Sequence, residues 1–144
     1  MSTVSAVPKI GNPQPVRVRF VCDFHAYRSL PAEGLLKAMA AEENLDGLIR
    51  ASSAGTMILT KNYTRLRFEH MEEATHVLTM EENISDYLIQ KFPQFARKVQ
   101  TVRQFINQPS AVSGYDITGE REVARVMPAV YEKLKREVFA GQPA

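Results

Sequence analysis

The chain has 144 residues, 44% of them hydrophobic and 24% charged, which suits one domain with its own core and excludes wholesale disorder, collagen and disulfide scaffolds. Lys plus Arg (18) against Asp plus Glu (16) leaves a formal charge of +2, too balanced to point to nucleic acid or a membrane surface, and no run reaches the roughly 20 apolar residues of a transmembrane helix. The single cysteine, Cys22, cannot form an internal disulfide, and the N-terminus carries no secretory pattern; the expected compartment is the reducing cytoplasm.

Residues 1–15 hold Pro8, Gly11, Pro13 and Pro15 with little periodic apolar content. They are expected to be a flexible leader before a single domain over 16–144. Val16 to Val21 alternates apolar and basic residues, then turns fully apolar, and so predicts a strand entering the core at its end. Ser29-Leu30-Pro31 looks like a helix start with a capping serine. Leu35, Leu36 and Met39 continue a helical stripe to near Asn44. Leu48–Ala51 and Met57–Leu59 read as two short strand-like pieces around a Ser-Ser-Ala-Gly-Thr stretch. The composition of Arg65–Glu73 predicts a helix. His76–Met80 is an apolar, β-branched run expected to be a buried strand. Ile84, Leu88 and Ile89 predict a helix stopped near Pro93, and Val99 to Ile106 a fourth strand with its exit. Residues 107–119 read as a loop. Val123, Val126, Val130, Leu134 and Val138 mark a long final helix, with Pro128 either kinking it or lying near its start.

Strands alternating with helices predict a three-layer α/β fold: a mostly parallel four-stranded sheet with helices on both faces, flavodoxin-like or Rossmann-like. Ligands in such folds sit at the carboxyl ends of the strands. That puts the turn from Cys22 to Ser29 at the default ligand position. Five residues separate Cys22, closing the first strand, from Arg28, opening the first helix. A helix N-terminus there presents unpaired N–H groups and a positive dipole end, which hold a phosphate-like anion and favour the thiolate. A guanidinium can chelate two phosphate oxygens, and Ser29 can donate to the thiolate. Attack of sulfur on phosphorus, followed by hydrolysis of a phosphocysteine, is the reaction this set of groups suits. The same residues also fit a buried structural cysteine beside a solvated arginine.

Val18-Arg19-Phe20-Val21-Cys22, Arg28-Ser29 and Ala32-Glu33-Gly34, then Ser53-Ala54-Gly55-Thr56 and Val77-Leu78-Thr79-Met80 with Asn83, resemble the low-molecular-weight protein tyrosine phosphatases over residues 16–139. The resemblance implies a phosphatase with Cys22 as nucleophile and Arg28 as phosphate ligand, and with Ser29 easing thiolate formation. It also implies a phosphate loop of Cys22, Asp23, Phe24, His25, Ala26, Tyr27, Arg28 and Ser29, supported by Ser53. No metal or cofactor is implied. The implied partners are a phosphotyrosine protein or small phosphate ester, with inorganic phosphate or sulfate as a ligand.

The chain departs from the family in four places. Phe24 and His25 replace a glycine and an asparagine of the loop, and His25 either takes over the asparagine's contact with Ser53 or points into the site. Tyr27 replaces a second cysteine, so no thiol within the chain resolves a sulfenic acid. The stretch after Thr56 is short, leaving Tyr63, Phe68, Lys61, Arg65 and Arg67 as a remodelled pocket rim or a solvated helix face. The family's Asp-Pro-aromatic general acid is broken. Asp116 is the one aspartate in that loop and the candidate acid, equally readable as a turn former; Glu120 and Glu122 come next. The alternatives are a phosphate-binding pseudophosphatase with little turnover, or arsenate reduction, which would need an external thiol.

Overall fold

The computed structural model of the chain describes residues 12–24, 27–57 and 63–141. Residues 1–11 of the expected leader lie outside them. Four strands, β1 (Val16–Cys22), β2 (Ile49–Gly55), β3 (His76–Thr79) and β4 (Val99–Thr101), form one sheet in the order β2-β1-β3-β4. Every pairing is parallel, in the register Val16↔Ile49 through Cys22↔Gly55, Val18↔His76 through Val21↔Thr79, and Val77↔Val99 through Thr79↔Thr101. The expected three-layer architecture is therefore the observed one.

Strand alternation distributes the core. Val16, Val18, Phe20 and Cys22 project from β1 to one face. There α1 (Ser29–Glu42) and α5 (Glu120–Val138) bring Leu36, Ala40, Val123, Met127, Val130 and Leu134. Val21, Val77 and Val99 project to the other face, against Met71 of α2 (Phe68–Glu73) and Ile84 and Leu88 of α3 (Glu82–Lys91). The end of β1 is covered on both sides, which is why alternation gives way to the continuous Phe20-Val21-Cys22 run.

Local sequence and tertiary pairing disagree in four places. The two strand-like pieces expected around residues 48–59 are one strand, because β2 follows β1 along its whole length; Met57 lies beyond it and Ile58 and Leu59 lie outside the described residues. The helix expected from Arg65 starts only at Phe68, since Gly55 N–H donates to the Thr64 carbonyl (2.9 Å) and Leu66 N–H to the Gly55 carbonyl (2.8 Å). That holds 64–66 extended beside β2. The fourth strand stops at Thr101. Its hydroxyl accepts from Gln104 N–H (3.0 Å) while the Gln104 side chain accepts from Thr101 N–H (2.9 Å), a capping box that turns 102–105 into α4 (Val102–Phe105). Ser29 is the first residue of α1 and makes no capping bond; Arg28 occupies the cap position. Pro128 lies well inside α5, on its exposed side. Among the described residues no helix is long and apolar enough to cross a membrane.

Candidate functional site

The site gathers at the carboxyl ends of β1 and β3. Cys22, 2% exposed, ends β1. Its Sγ lies 3.0 Å from the Ser29 Oγ at the start of α1. The same hydroxyl is 3.4 Å from the Ala54 carbonyl of β2. One hydroxyl proton thus has two acceptors. With the thiol protonated it can go to Ala54, and with the thiolate formed it can turn to sulfur. A thiolate formed there would find a hydroxyl donor 3.0 Å away.

Arg28 sits just before α1 with its guanidinium mostly buried. Nη1 donates to the Ile117 carbonyl at 2.9 Å and forms an ion pair with the Glu81 carboxylate; Nη2 is 3.8 Å from Asp23 Oδ2. Glu81 is the cap residue of α3 and Asp23 follows the cysteine directly. The arginine is held between two carboxylates at the mouth of the loop. An incoming dianion would replace the Glu81 contact, and the planar fork suits two oxygens.

The loop over 113–119 is fastened to the same place. Ile117 N–H donates to the Met80 carbonyl (2.7 Å), while Met80 N–H donates to Val21 (3.0 Å). Asp116 Oδ1 accepts from the Glu82 N–H of α3 at 2.8 Å; Oδ2 has no hydrogen bond among the described residues. Asp116 N–H also closes a turn on the Ser113 carbonyl (3.0 Å). The residue is therefore a turn former and an anchor of α3, and one of its oxygens remains open. Glu120 is exposed in the first turn of α5. Glu122 is committed elsewhere: it accepts from Thr118 Oγ1 (2.6 Å) and pairs with Arg103 (2.8 Å). The Thr118 hydroxyl first, and then Arg103, hold its carboxyl below the usual range.

Sequence reasoning reached Cys22, Arg28, Ser29 and the 113–119 loop, and the fold brings these together. Phe24 and Tyr27 are exposed on the loop, and His25 and Ala26 lie outside the described residues. The expected contact of His25 with Ser53 therefore cannot be placed; Ser53 Oγ donates to Glu33 Oε1 at 2.5 Å, and Lys37 pairs with the other oxygen at 2.6 Å. Lys61 lies outside the described residues; Arg65 and Arg67 are exposed, and the Phe68 ring packs against Phe95 with centroids 5.2 Å apart. Glu33 and Glu81 were missed as site residues. The one available signal for Glu81 was its place just after the third strand, where α/β folds present ligand groups. Beside the arginine, Asp23, Thr56, Met57, Asn83, Ile84 and Tyr87 line a cavity of about 240 Å³. Among the described residues no group of three or more His, Cys, Asp or Glu is placed to hold a metal ion.

No family model matches the chain. Its sequence is 28% identical over 135 residues to a protein-arginine-phosphatase of Geobacillus stearothermophilus, covering 83% of this chain and 91% of that protein. The solved YwlE arginine phosphatase of Geobacillus stearothermophilus superposes with a TM-score of 0.69 at 26% identity, over 85% of this chain and 95% of that one. A low-molecular-weight protein tyrosine phosphatase from T. tengcongensis shares the fold, with a TM-score of 0.68 at 24% identity over 82% and 99% of the two chains. The chain is thus similar in sequence to a protein-arginine-phosphatase, and it shares its fold with that kind of enzyme and with low-molecular-weight protein tyrosine phosphatases, as a divergent relative of them would.

Proposed function

We propose that the chain is a cysteine-dependent phosphatase acting through a phosphocysteine. The observation that carries this reading is the 3.0 Å contact between Cys22 Sγ and Ser29 Oγ, beside a guanidinium that opens the helix. Arg28 exchanges Glu81 for two phosphate oxygens, and the backbone from Cys22 to Ser29 (Asp23, Phe24, His25, Ala26, Tyr27 and Arg28 included) cradles the rest. Ser53 supports the cradle through Glu33. The Cys22 thiolate attacks phosphorus, the phosphorus–oxygen bond breaks, and the free oxygen of Asp116 gives its proton to the leaving oxygen. Water then attacks the phosphocysteine, returning a proton to Asp116 and releasing phosphate and the thiolate. The domain spans 16–144 and works in the cytoplasm.

The substrate is a phosphotyrosine protein or a small aryl phosphate; inorganic phosphate or sulfate binds as product or mimic. A second reading, phosphoarginine, is favoured by the arginine phosphatases among the relatives and by the Asp23 and Glu81 carboxylates flanking the site, which would accept hydrogen bonds from a substrate guanidinium. Purified protein assayed on nitrophenyl phosphate, a phosphotyrosine peptide and a phosphoarginine peptide decides between them, with Cys22→Ser as control. Turnover that vanishes in the serine variant is expected. Phosphate binding with no turnover on any substrate would establish the binding-module alternative instead.

A further inference from the structure

On the opposite face of the sheet from the cysteine side chain lies a second cluster of chemistry that catalysis does not use. Arg17 pairs with Arg50 and Arg19 with Ser52 across the parallel β1–β2 ladder. Partners in register share a face, so all four side chains leave the sheet on the side of α2. With Glu73 and Ala74 they line a cavity of about 280 Å³. Its charges do not balance. Arg17 Nε donates to the Glu73 backbone carbonyl at 2.7 Å, not to a carboxylate. Arg19 reaches the Glu73 carboxylate only at 3.9 Å, and that carboxylate is 69% exposed. Arg50 makes no ion pair among the described residues. Lys98, whose ammonium donates to the Ala74 carbonyl at 2.7 Å, adds a further cation close to Arg17.

Arg19 is the telling residue. Its side chain is 11% exposed, and its Nε is buried with no hydrogen-bond partner among the described residues. Buried guanidinium donors are ordinarily satisfied, and leaving one unmatched is costly. Burial also pulls its pKa below the ordinary arginine value, against the opposing pull of Glu73 and Glu33. Glu73 is the one carboxylate among the residues lining the cavity, and it does not meet the donors of three guanidiniums.

We propose that Arg17, Arg19 and Arg50 form a second oxyanion site that takes a phosphate monoester or phosphate itself, separate from the cysteine loop. Guanidinium forks match tetrahedral oxyanions in pairs of hydrogen bonds, and three of them converge on one cavity. The volume is at the small end for ligand sites, so it suits a phosphate head group rather than a large ligand. Arg19 is three residues before Cys22, about 10 Å along the strand and on the other face. The site therefore reads a phosphate other than the one being hydrolysed: the free product, or a second phosphorylated side chain on a protein.

The experiment is a titration of the Arg28→Ala variant, in which the catalytic cradle is disabled, followed by the backbone amide resonances of β1 and β2. Inorganic phosphate is one probe; a phosphoserine peptide and its unphosphorylated twin are the others. The site predicts saturable shifts at residues 17–19 and 50–52 in the Arg28→Ala protein, with affinity falling at least ten-fold on adding Arg50→Gln. Arg50 is exposed, so that variant keeps the fold even if Arg19→Gln does not. Binding of the phosphopeptide alone identifies a protein-borne phosphate; binding of inorganic phosphate assigns the site to the free ion. No binding to Arg28→Ala, or binding unchanged by Arg50→Gln, overturns the site. Both outcomes are independent of whether Cys22 turns over any substrate.

Discussion

Arg28 shows how much one residue is asked to do. Its guanidinium holds the Ile117 carbonyl and the Glu81 carboxylate at once and stands 3.8 Å from Asp23. A lysine could keep the Glu81 pair but has no planar fork to span two phosphate oxygens. Arg28→Lys is expected to lower kcat/KM by about 100-fold or more, with the fold unchanged by circular dichroism; a lysine variant with wild-type turnover would remove the bidentate role. Asp116 is tested by the leaving group. Asparagine keeps an acceptor for the Glu82 N–H, so Asp116→Asn preserves the anchor seen at 2.8 Å and removes only the carboxyl proposed as the acid. A general acid contributes roughly 10²–10⁴-fold, most where the leaving group is poor, and a phenol with a pKa of about 10 is a poor one. The variant is therefore expected to lose far more rate on phosphotyrosine than on nitrophenyl phosphate. Equal rates to wild type on both substrates would take Asp116 out of the chemistry.

At the scale of elements, the helices carry identifiable faults and fastenings. Pro128 interrupts α5 on its exposed side. It offers no N–H to the Ala124 carbonyl one turn back, and its ring crowds that carbonyl. Pro128→Ala is expected to stabilise the protein by about 1–3 kcal/mol in urea unfolding without changing activity. The loop before α5 depends on Gly114, whose φ of 61° is a left-handed conformation that an alanine adopts only with strain. The same loop carries Asp116 and the Ile117 carbonyl to the site. A strained loop there would disturb Arg28 as well as α3, which links its backbone conformation to function.

For the molecule as a whole, the final helix is tied to its neighbouring helices by charged contacts. Glu122 joins α5 to Arg103 of α4 and to Thr118. Its carboxyl is held below the usual range, chiefly by the Thr118 hydroxyl and then by Arg103. A depressed carboxylate adds stability that is complete above its unfolded pKa of roughly 4.3 and is lost as pH falls through the folded value. Glu122→Gln is expected to destabilise the protein by about 1 kcal/mol at pH 7, with a smaller gap to wild type at pH 3. A gap of the same size at both pH values would show that packing, not charge, is responsible. At the far end of the helix, Tyr131 donates to Glu43 and Lys135 pairs with the same carboxylate at 3.0 Å, joining α5 to the end of α1.

What the sequence determined by itself is what is encoded locally. The apolar, alternating run into Cys22, the helical stripe of α5 and the strand–loop–helix order each follow from short-range periodicity, and together they specify a parallel α/β sheet with Cys22 and Arg28 at its carboxyl end. What only the tertiary structure decided depends on partners far along the chain. β2 extends through Ser52–Gly55 despite its polar composition because β1 offers it a full ladder. Residues 64–66 stay extended because Gly55 holds them. Glu81 becomes a site residue only because the sheet order brings the end of β3 beside β1, 53 residues away from Arg28 in sequence. Asp116 could be read as acid or turn former from the loop alone. The hydrogen bond to Glu82 across 34 residues showed that it anchors α3, because a side chain's partner is set by where the fold carries both groups.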